Sequence, residues 1–289
     1  MSNGCLCVFG EVLFDHCPDG RRVLGGAPFN VAWHLQAFGQ APCFISRVGD
    51  DAQGEAVRRA MHGWGMRSDN LQQDMQRATG SVEVRFNDGE PDYEIVADCA
   101  YDAIAVIAEP LECRLLYHGT LALRNARSRS AAQQLRDAAS GVVFVDVNLR
   151  PPWWRREEVL EMLAGADWVK LNGDELRQLQ AAADAASLIA DYGLTGVVLT
   201  HGAEGAEIIT AAGEHIRVAP AAAVEVVDTV GAGDGFSAVM ILGLANGWPL
   251  QTTAQRAQAF AAGLVGHRGA TVSDARFYRA FVDEWRLTT

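Results

Sequence analysis

The segment Asp228-Thr229-Val230-Gly231-Ala232-Gly233-Asp234-Gly235-Phe236 puts small residues and an acid just ahead of an apolar run, Ser237 to Leu244. That order reads as a glycine-rich loop feeding a helix. Unpaired N–H groups at a helix start, aided by the helix dipole, can hold a phosphate. An aspartate there opposes a bound anion unless it has its own task. Asp234 can be a base that takes a proton from a hydroxyl, while the N–H groups of Gly231, Ala232 and Gly233 hold the phosphoryl group under attack. The pattern therefore points to phosphoryl transfer from a nucleotide to an alcohol. The same residues also suit a tight turn with a helix cap.

Two familiar phosphate loops are excluded. A Walker A loop needs G-x-x-x-x-G-K-[ST], and the only lysine, Lys170, follows no such loop. A dinucleotide fingerprint needs a third small residue where Phe236 stands.

Other polar constellations stand where strands should end. Gly25-Gly26-Ala27-Pro28-Phe29-Asn30 precedes a helical run, so ligand can approach the glycines and Asn30 can both donate to and accept from a polyol. Asp15, where the chain leaves the first strand, can accept sugar hydroxyl protons. Asp146, Asn148 and Arg150 alternate onto one face, with Arg150 a clamp for a moving phosphoryl group. Asn172 and Glu175 have the spacing of a capping box, and Glu175 can also order water around Mg²⁺. Thr200, Gly202 and Gly205 allow a nucleotide close to the backbone, and His201 between them reads as a loop residue.

These positions need a scaffold, and the remaining sequence describes one. Apolar strand-like runs (Cys5–Phe9, Cys43–Val48, Arg114–His118, Val142–Val147, Trp168–Leu171, Gly196–Thr200) alternate with helical ones. The helical runs are Asn30–Phe38, Gly54–Trp64, Ser128–Ala139, Arg156–Leu163, Gly173–Ala181 and Ala254–Val265. This is the α/β class, with a mainly parallel sheet flanked by helices on both faces. Two β-rich stretches break the rhythm, Glu11–Leu24 and Ser81–Val96, the latter turning at Asn87-Asp88-Gly89. They predict a small sheet over the active site, as a lid or a dimer contact.

Composition narrows the partners. The chain has 289 residues, 49% of them hydrophobic, and a net charge of −12, which argues against nucleic acid and anionic membranes. No run spans a bilayer and no signal peptide is evident. The six cysteines (5, 7, 17, 43, 99, 113) show no metal-ligand spacing and are expected as reduced thiols of a cytoplasmic protein. Cys5 and Cys7 should face one side of a sheet.

Taken in order, these motifs resemble the ribokinase-like (PfkB) carbohydrate kinase family, over essentially the full length. Gly25-Gly26-Ala27-Pro28-Phe29-Asn30, Gly49-Asp50-Asp51, Asn172-x-x-Glu175 and Asp228 to Asp234 carry the resemblance. It implies one ribokinase-like domain over 1–289, with a β-sheet lid from about 11–24 and 80–98, and ATP and Mg²⁺ as cofactors. Asp234 would be the base, Gly231 to Asp234 the anion hole, and Asp15, Gly25, Gly26 and Asn30 the sugar site. Asn172, Thr200, Gly202 and Gly205 would lie along the nucleotide. A monovalent cation, K⁺, would sit near Asp228, Val230, Gly269 and Ser273. Gly10-Glu11-Val12-Leu13-Phe14-Asp15 and Asp146-Val147-Asn148-Leu149-Arg150 look most like bacterial fructokinases. A 2-keto-3-deoxygluconate kinase (Arg85 answering the acid), a ribokinase, a nucleoside kinase (Phe29 and Tyr101 facing a base) and a non-catalytic sugar- or nucleotide-binding regulator are the alternatives. An uncovered lid face would favour a homodimer.

Overall fold

The computed structural model describes residues 4–87, 90–107, 111–180, 184–220 and 225–287; side chains at 84–93 are not described. Seven strands run parallel in the order β5 (Leu71–Asp74), β4 (Cys43–Gly49), β1 (Cys5–Phe9), β8 (Cys113–His118), β9 (Val142–Asp146), β10 (Trp168–Asn172) and β11 (Gly196–Thr200). Two antiparallel strands, β12 (Ala206–Thr210) and β13 (His215–Val218), extend the far edge. The central strands are buried on both faces, which explains why they read as unbroken apolar runs. Their carboxyl ends gather Glu11, Asp146, Asn172 and Thr200 at one edge, where ligands of open α/β sheets bind.

A second sheet has the order β3 (Arg22–Gly25), β2 (Leu13–His16), β6 (Gly80–Asn87), β7 (Glu90–Ile95). Its outer pairs are antiparallel, whereas β2 and β6 run parallel. The hairpin expected at Asn87-Asp88-Gly89 falls partly outside the described residues.

Two helices position the chemistry. α7 (Ala232–Asn246) is apolar all round, because it is sandwiched between α1 (Ala27–Ala37) and α8 (Leu250–Leu264). It begins five residues before the apolar run, so Asp234 lies within its first turn. α1 likewise begins before the predicted Asn30, because Pro28 suits a first helical turn. Asn30 is therefore inside the helix, and its side chain is free to reach across to another element. His34 on α1 bonds the Ala270 carbonyl at 3.1 Å and the Tyr278 hydroxyl at 3.0 Å. Burial pushes its pKa down to about 3, so it stays neutral while fixing the Ala270 loop beside Gly231.

Among the described residues, five strands and α-helices carried no expectation: β5, β12, β13, the helix Ala185–Tyr192 and the C-terminal helix Ala275–Trp285. The last had a legible signal, since Phe277, Tyr278, Phe281, Val282 and Trp285 recur at helical spacing.

The cysteine expectation is corrected. Cys7 and Cys113 are joined in a disulfide, while Cys5, Cys17, Cys43 and Cys99 are free. The partners are 106 residues apart and meet only because β1 and β8 are neighbours in the sheet, which no local spacing reveals. Among the described residues, no helix is long and apolar enough to cross a membrane.

Candidate active site

A cavity of about 760 Å³ opens between the carboxyl edge of the large sheet and the second sheet. Leu13, Val23, Leu24, Val82 and Ile95 from the second sheet form one wall. Asp15, Gly25, Gly26, Asn30, Arg150, Asn172, Glu175, Thr200, Val230, Gly231, Gly233 and Asp234 also line it. Ala232, Gly202, Gly205, Asp228, Gly269 and Ser273 do not.

Asp234 is the centre of the polar floor. Its Oδ2 accepts a hydrogen bond from Asn30 Nδ2 at 2.7 Å. Burial, opposed by that bond and reinforced by Asp146, raises its pKa to about 6. Such a carboxylate is ionised at neutral pH, yet basic enough to take a proton in a transition state. The other amide atom of Asn30, Oδ1, is buried without a partner. Asn30 Oδ1 and Asp15 Oδ2 each lie 4.0 Å from the point where a side chain on Gly25 would begin. A glycine there leaves a notch between two acceptors, a shape that suits vicinal hydroxyls. Asp15 is itself pushed upward by burial.

The segment expected to form an anion hole is set by one backbone conformation. Gly231 caps α7 with φ of +82°, and a Cβ on it would lie 2.4 Å from Ala270 Cα. Gly231→Ala is therefore expected to lower the melting temperature, with left-handed strain of about 1–3 kcal/mol before any overlap is counted. A thermal melt equal to the parent's would overturn this account of the turn. The first-turn N–H groups have no helical acceptor. Only the Ala232 N–H makes a long contact, 3.4 Å to the Thr229 carbonyl.

Two buried charged residues went unassigned in the sequence. Glu11 lies just beyond β1, 3% exposed, with Oε2 unpartnered. Burial, with Asp234 nearby, lifts its pKa to about 7. An acid directly after a buried apolar strand was its available signal. Lys170 on β10 donates to both Asp146 oxygens at 2.8 and 2.9 Å, and its Nζ lies 3.7 Å from where a Gly233 Cβ would be. Asp146 also accepts from Ser237 Oγ at 2.6 Å and from the Tyr117 hydroxyl at 3.3 Å. Arg150 is exposed and lies near enough to Asp234, Glu11 and Asp15 to lower the pKa of each.

The residues expected along the nucleotide and its metal have structural duties. Asn172 caps the helix Gly173–Leu179 by accepting from the Asp174 and Glu175 N–H groups. Glu175 completes the capping box through Oε2 and takes the Leu149 N–H through Oε1. Each oxygen keeps a lone pair for a metal-bound water, which fits the sparse protein ligation Mg²⁺ prefers. Thr200 closes β11, and His201 Nε2 is 3.4 Å from Glu207 on β12. Asp228 gathers the expected cation loop, accepting from the Val230 and Gly269 N–H groups at 3.0 Å each. Phe29 and Tyr101 are fully buried and do not line the cavity, which removes the expected aromatic faces for a base.

Known proteins resemble this chain in sequence and in fold. A fructokinase of Escherichia coli is 31% identical over 262 residues, 83% of this chain and 84% of that protein. An aminoimidazole riboside kinase of Salmonella typhimurium is 31% identical over 265 residues, 83% of this chain and 82% of that protein. The structure of a Vibrio cholerae fructokinase with fructose, ADP and calcium superposes with a TM-score of 0.80 at 25% identity, over 96% of this chain and 98% of that one. The sequence pattern described as pfkB family carbohydrate kinase matches residues 7–276, and the chain belongs to that family.

Proposed function

We propose that this sugar kinase transfers the γ-phosphoryl group of ATP to the primary hydroxyl of fructose, with Asp234 as the base. The observation that carries this reading is the pairing of a half-buried, basic carboxylate with Asn30, beside the notch at Gly25. In this reading the sugar lies along Asp15, Gly26 and Asn30, with the reacting oxygen at Asp234. The second sheet closes over it as a lid and excludes water. Asp234 takes the hydroxyl proton while the oxygen attacks phosphorus in line. The N–H groups from Gly231 to Asp234 and the Arg150 guanidinium stabilise charge on the moving group. Mg²⁺ would supply charge neutralisation at the phosphates through waters held by Glu175. Asn172, Thr200, Gly202 and Gly205 would flank the nucleotide, and K⁺ would sit by Asp228, Val230, Gly269 and Ser273. A second copy covering the outer lid face would make a homodimer.

The cavity's charge favours a neutral sugar. Among the described residues, Glu11, Asp15, Glu175 and Asp234 share it with Arg150, while Lys170 is held by Asp146; the side chain of Arg85, expected to answer an acid, lies outside the described residues. A sugar acid would have to approach these carboxyl groups. No aromatic side chain lines the cavity among the described residues, so stacking on a base or an imidazole has little support. The test is kcat/KM with ATP across fructose, ribose, 2-keto-3-deoxygluconate, aminoimidazole riboside, adenosine and inosine, with and without K⁺. Fructose is expected to lead by tenfold or more. Another substrate in front would overturn the sugar assignment, and no turnover on any of them would overturn the reading as a kinase of these substrates.

A further inference from the structure

At the end of the sheet opposite the cavity, the amino ends of β1, β4 and β8 bring Cys5, Cys7, Cys43 and Cys113 into one hydrophobic cluster. The Sγ atoms of Cys5, Cys7 and Cys113 lie within 4.8 Å of one another, and Cys5 Sγ is 3.5 Å from Cys7 Sγ. This is the one place among the described residues where three metal-capable side chains converge. Two of the three sulfurs are bonded to each other, so the arrangement suits sulfur exchange rather than a metal ion. Cys7 and Cys113 are 0% and 1% exposed, beyond the reach of a thiol in solution, whereas Cys5 is half-buried.

We propose that Cys5, Cys7 and Cys113 form a thiol–disulfide exchange site, in which Cys5 connects the buried Cys7–Cys113 bond to dithiols and disulfides in solution. Cys5 and Cys113 are register partners on adjacent parallel strands, a spacing a disulfide can bridge. Cys5 and Cys7 are two residues apart on one strand, roughly 6.8 Å, at the limit of that range. Strand spacing thus favours a Cys5–Cys113 product, and the Cys5 thiolate, 3.5 Å from Cys7 Sγ at rest, turns to attack Cys113 Sγ. A Cys5–Cys113 bond forms, the Cys7–Cys113 bond breaks, and its electron pair leaves on Cys7 sulfur, which takes up the proton Cys5 gave up. The moved bond ends on the half-exposed sulfur. A dithiol then attacks Cys5 Sγ and releases Cys113 as a thiol. The second thiol of the reagent attacks the mixed disulfide and frees Cys5. Overall, one protein disulfide becomes two thiols, the dithiol becomes a disulfide, and two protons pass to the protein. The same steps in reverse restore the bond from a disulfide reagent.

The surroundings support a reactive Cys5. A hydrogen bond with Cys43, and to a lesser degree the charges of Arg67 and Arg114, bring its pKa down to about 7 against the cost of burial. Cys43 faces Cys7 in register on β4, ready to hydrogen-bond the thiol that leaves.

The experiment follows the native, folded protein prepared without reductant. Dithiothreitol is added, free thiols are alkylated at intervals, and peptides are mapped to give the rate at which the Cys7–Cys113 bond is lost. Cys5→Ser and Cys5→Ala are expected to slow that loss at least tenfold, with a Cys5–Cys113 peptide trapped only in the parent. Melting temperatures near the parent's show that both variants are folded, and in guanidinium the three proteins should reduce alike. Equal rates in the native parent and both variants would overturn the proposal. So would a parent whose Cys7 and Cys113 are already both alkylated before dithiothreitol is added. No kinase assay enters, so the result stands apart from the substrate assignment.

Discussion

Asp234→Asn is expected to cut kcat by roughly 10²–10⁴ while leaving the protein folded and more heat-resistant than the parent. The amide cannot accept a proton at neutral pH, but it keeps the shape of the acid and an oxygen for the Asn30 Nδ2 donor at 2.7 Å. The gain in stability follows from the direction of the pKa shift. Burial raises the folded pKa to about 6, from an ordinary 3.8, so the folded state holds this proton more tightly than the unfolded chain does. The contribution is therefore full below the unfolded value and is lost as pH rises through about 6. Above that the ionised group costs the fold ~3 kcal/mol. Asparagine removes the cost, and a thermal melt at pH 7.5 should rise by several degrees. In the parent, kcat/KM should fall as pH drops through about 6, because the proposed base becomes protonated. Near-full turnover by Asp234→Asn would remove the residue from the chemistry. A kcat/KM that stayed flat between pH 7 and 5 would remove the pKa argument.

What the sequence made legible followed from local periodicity. The βα alternation, the glycine loop at Gly231 and the acid at Asp234 are short-range patterns. So is the capping box of Asn172 and Glu175, present in the structure as spaced. Helix starts were less legible. Pro28 moves the beginning of α1 ahead of Asn30, and only that shift frees the Asn30 amide to face Asp234, 204 residues away. Long-range pairs left no local trace. Lys170 reads in sequence as one polar residue in a strand, and its meaning comes from Asp146 on the adjacent strand. The Cys7–Cys113 bond likewise depends on strand order, with β8 beside β1 despite six intervening strands in the chain. Phe29 and Tyr101 were placed by residue type, and the core claimed both.

Lys170→Met is the second substitution expected to act strongly, and it acts in two ways. The ammonium is buried, which by itself disfavours its charge, but the Asp146 carboxylate outweighs that and holds its pKa above the ordinary range. Methionine fills much of the volume and leaves Asp146, 3% exposed, without its cation. Removing one partner of a buried pair costs about 3–5 kcal/mol, because the remaining charge is uncompensated. The Ser237 and Tyr117 hydroxyls still donate to Asp146, which places the expected loss toward the lower end. Lys170→Met with Asp146→Asn should recover much of it, since no lone buried charge remains. The second effect reaches Asp234, the proposed base. Lys170 lowers the pKa of Asp234, so its removal should shift the acid limb of kcat/KM to a pH above about 6. Damaged packing alone would lower stability and leave that limb where it was. Chemical denaturation of the two single variants and the double, with pH profiles of whichever stay folded, separates the cases. An unchanged stability would show that the pair does not hold this floor together. An unchanged limb would show that the lysine's charge does not reach the base.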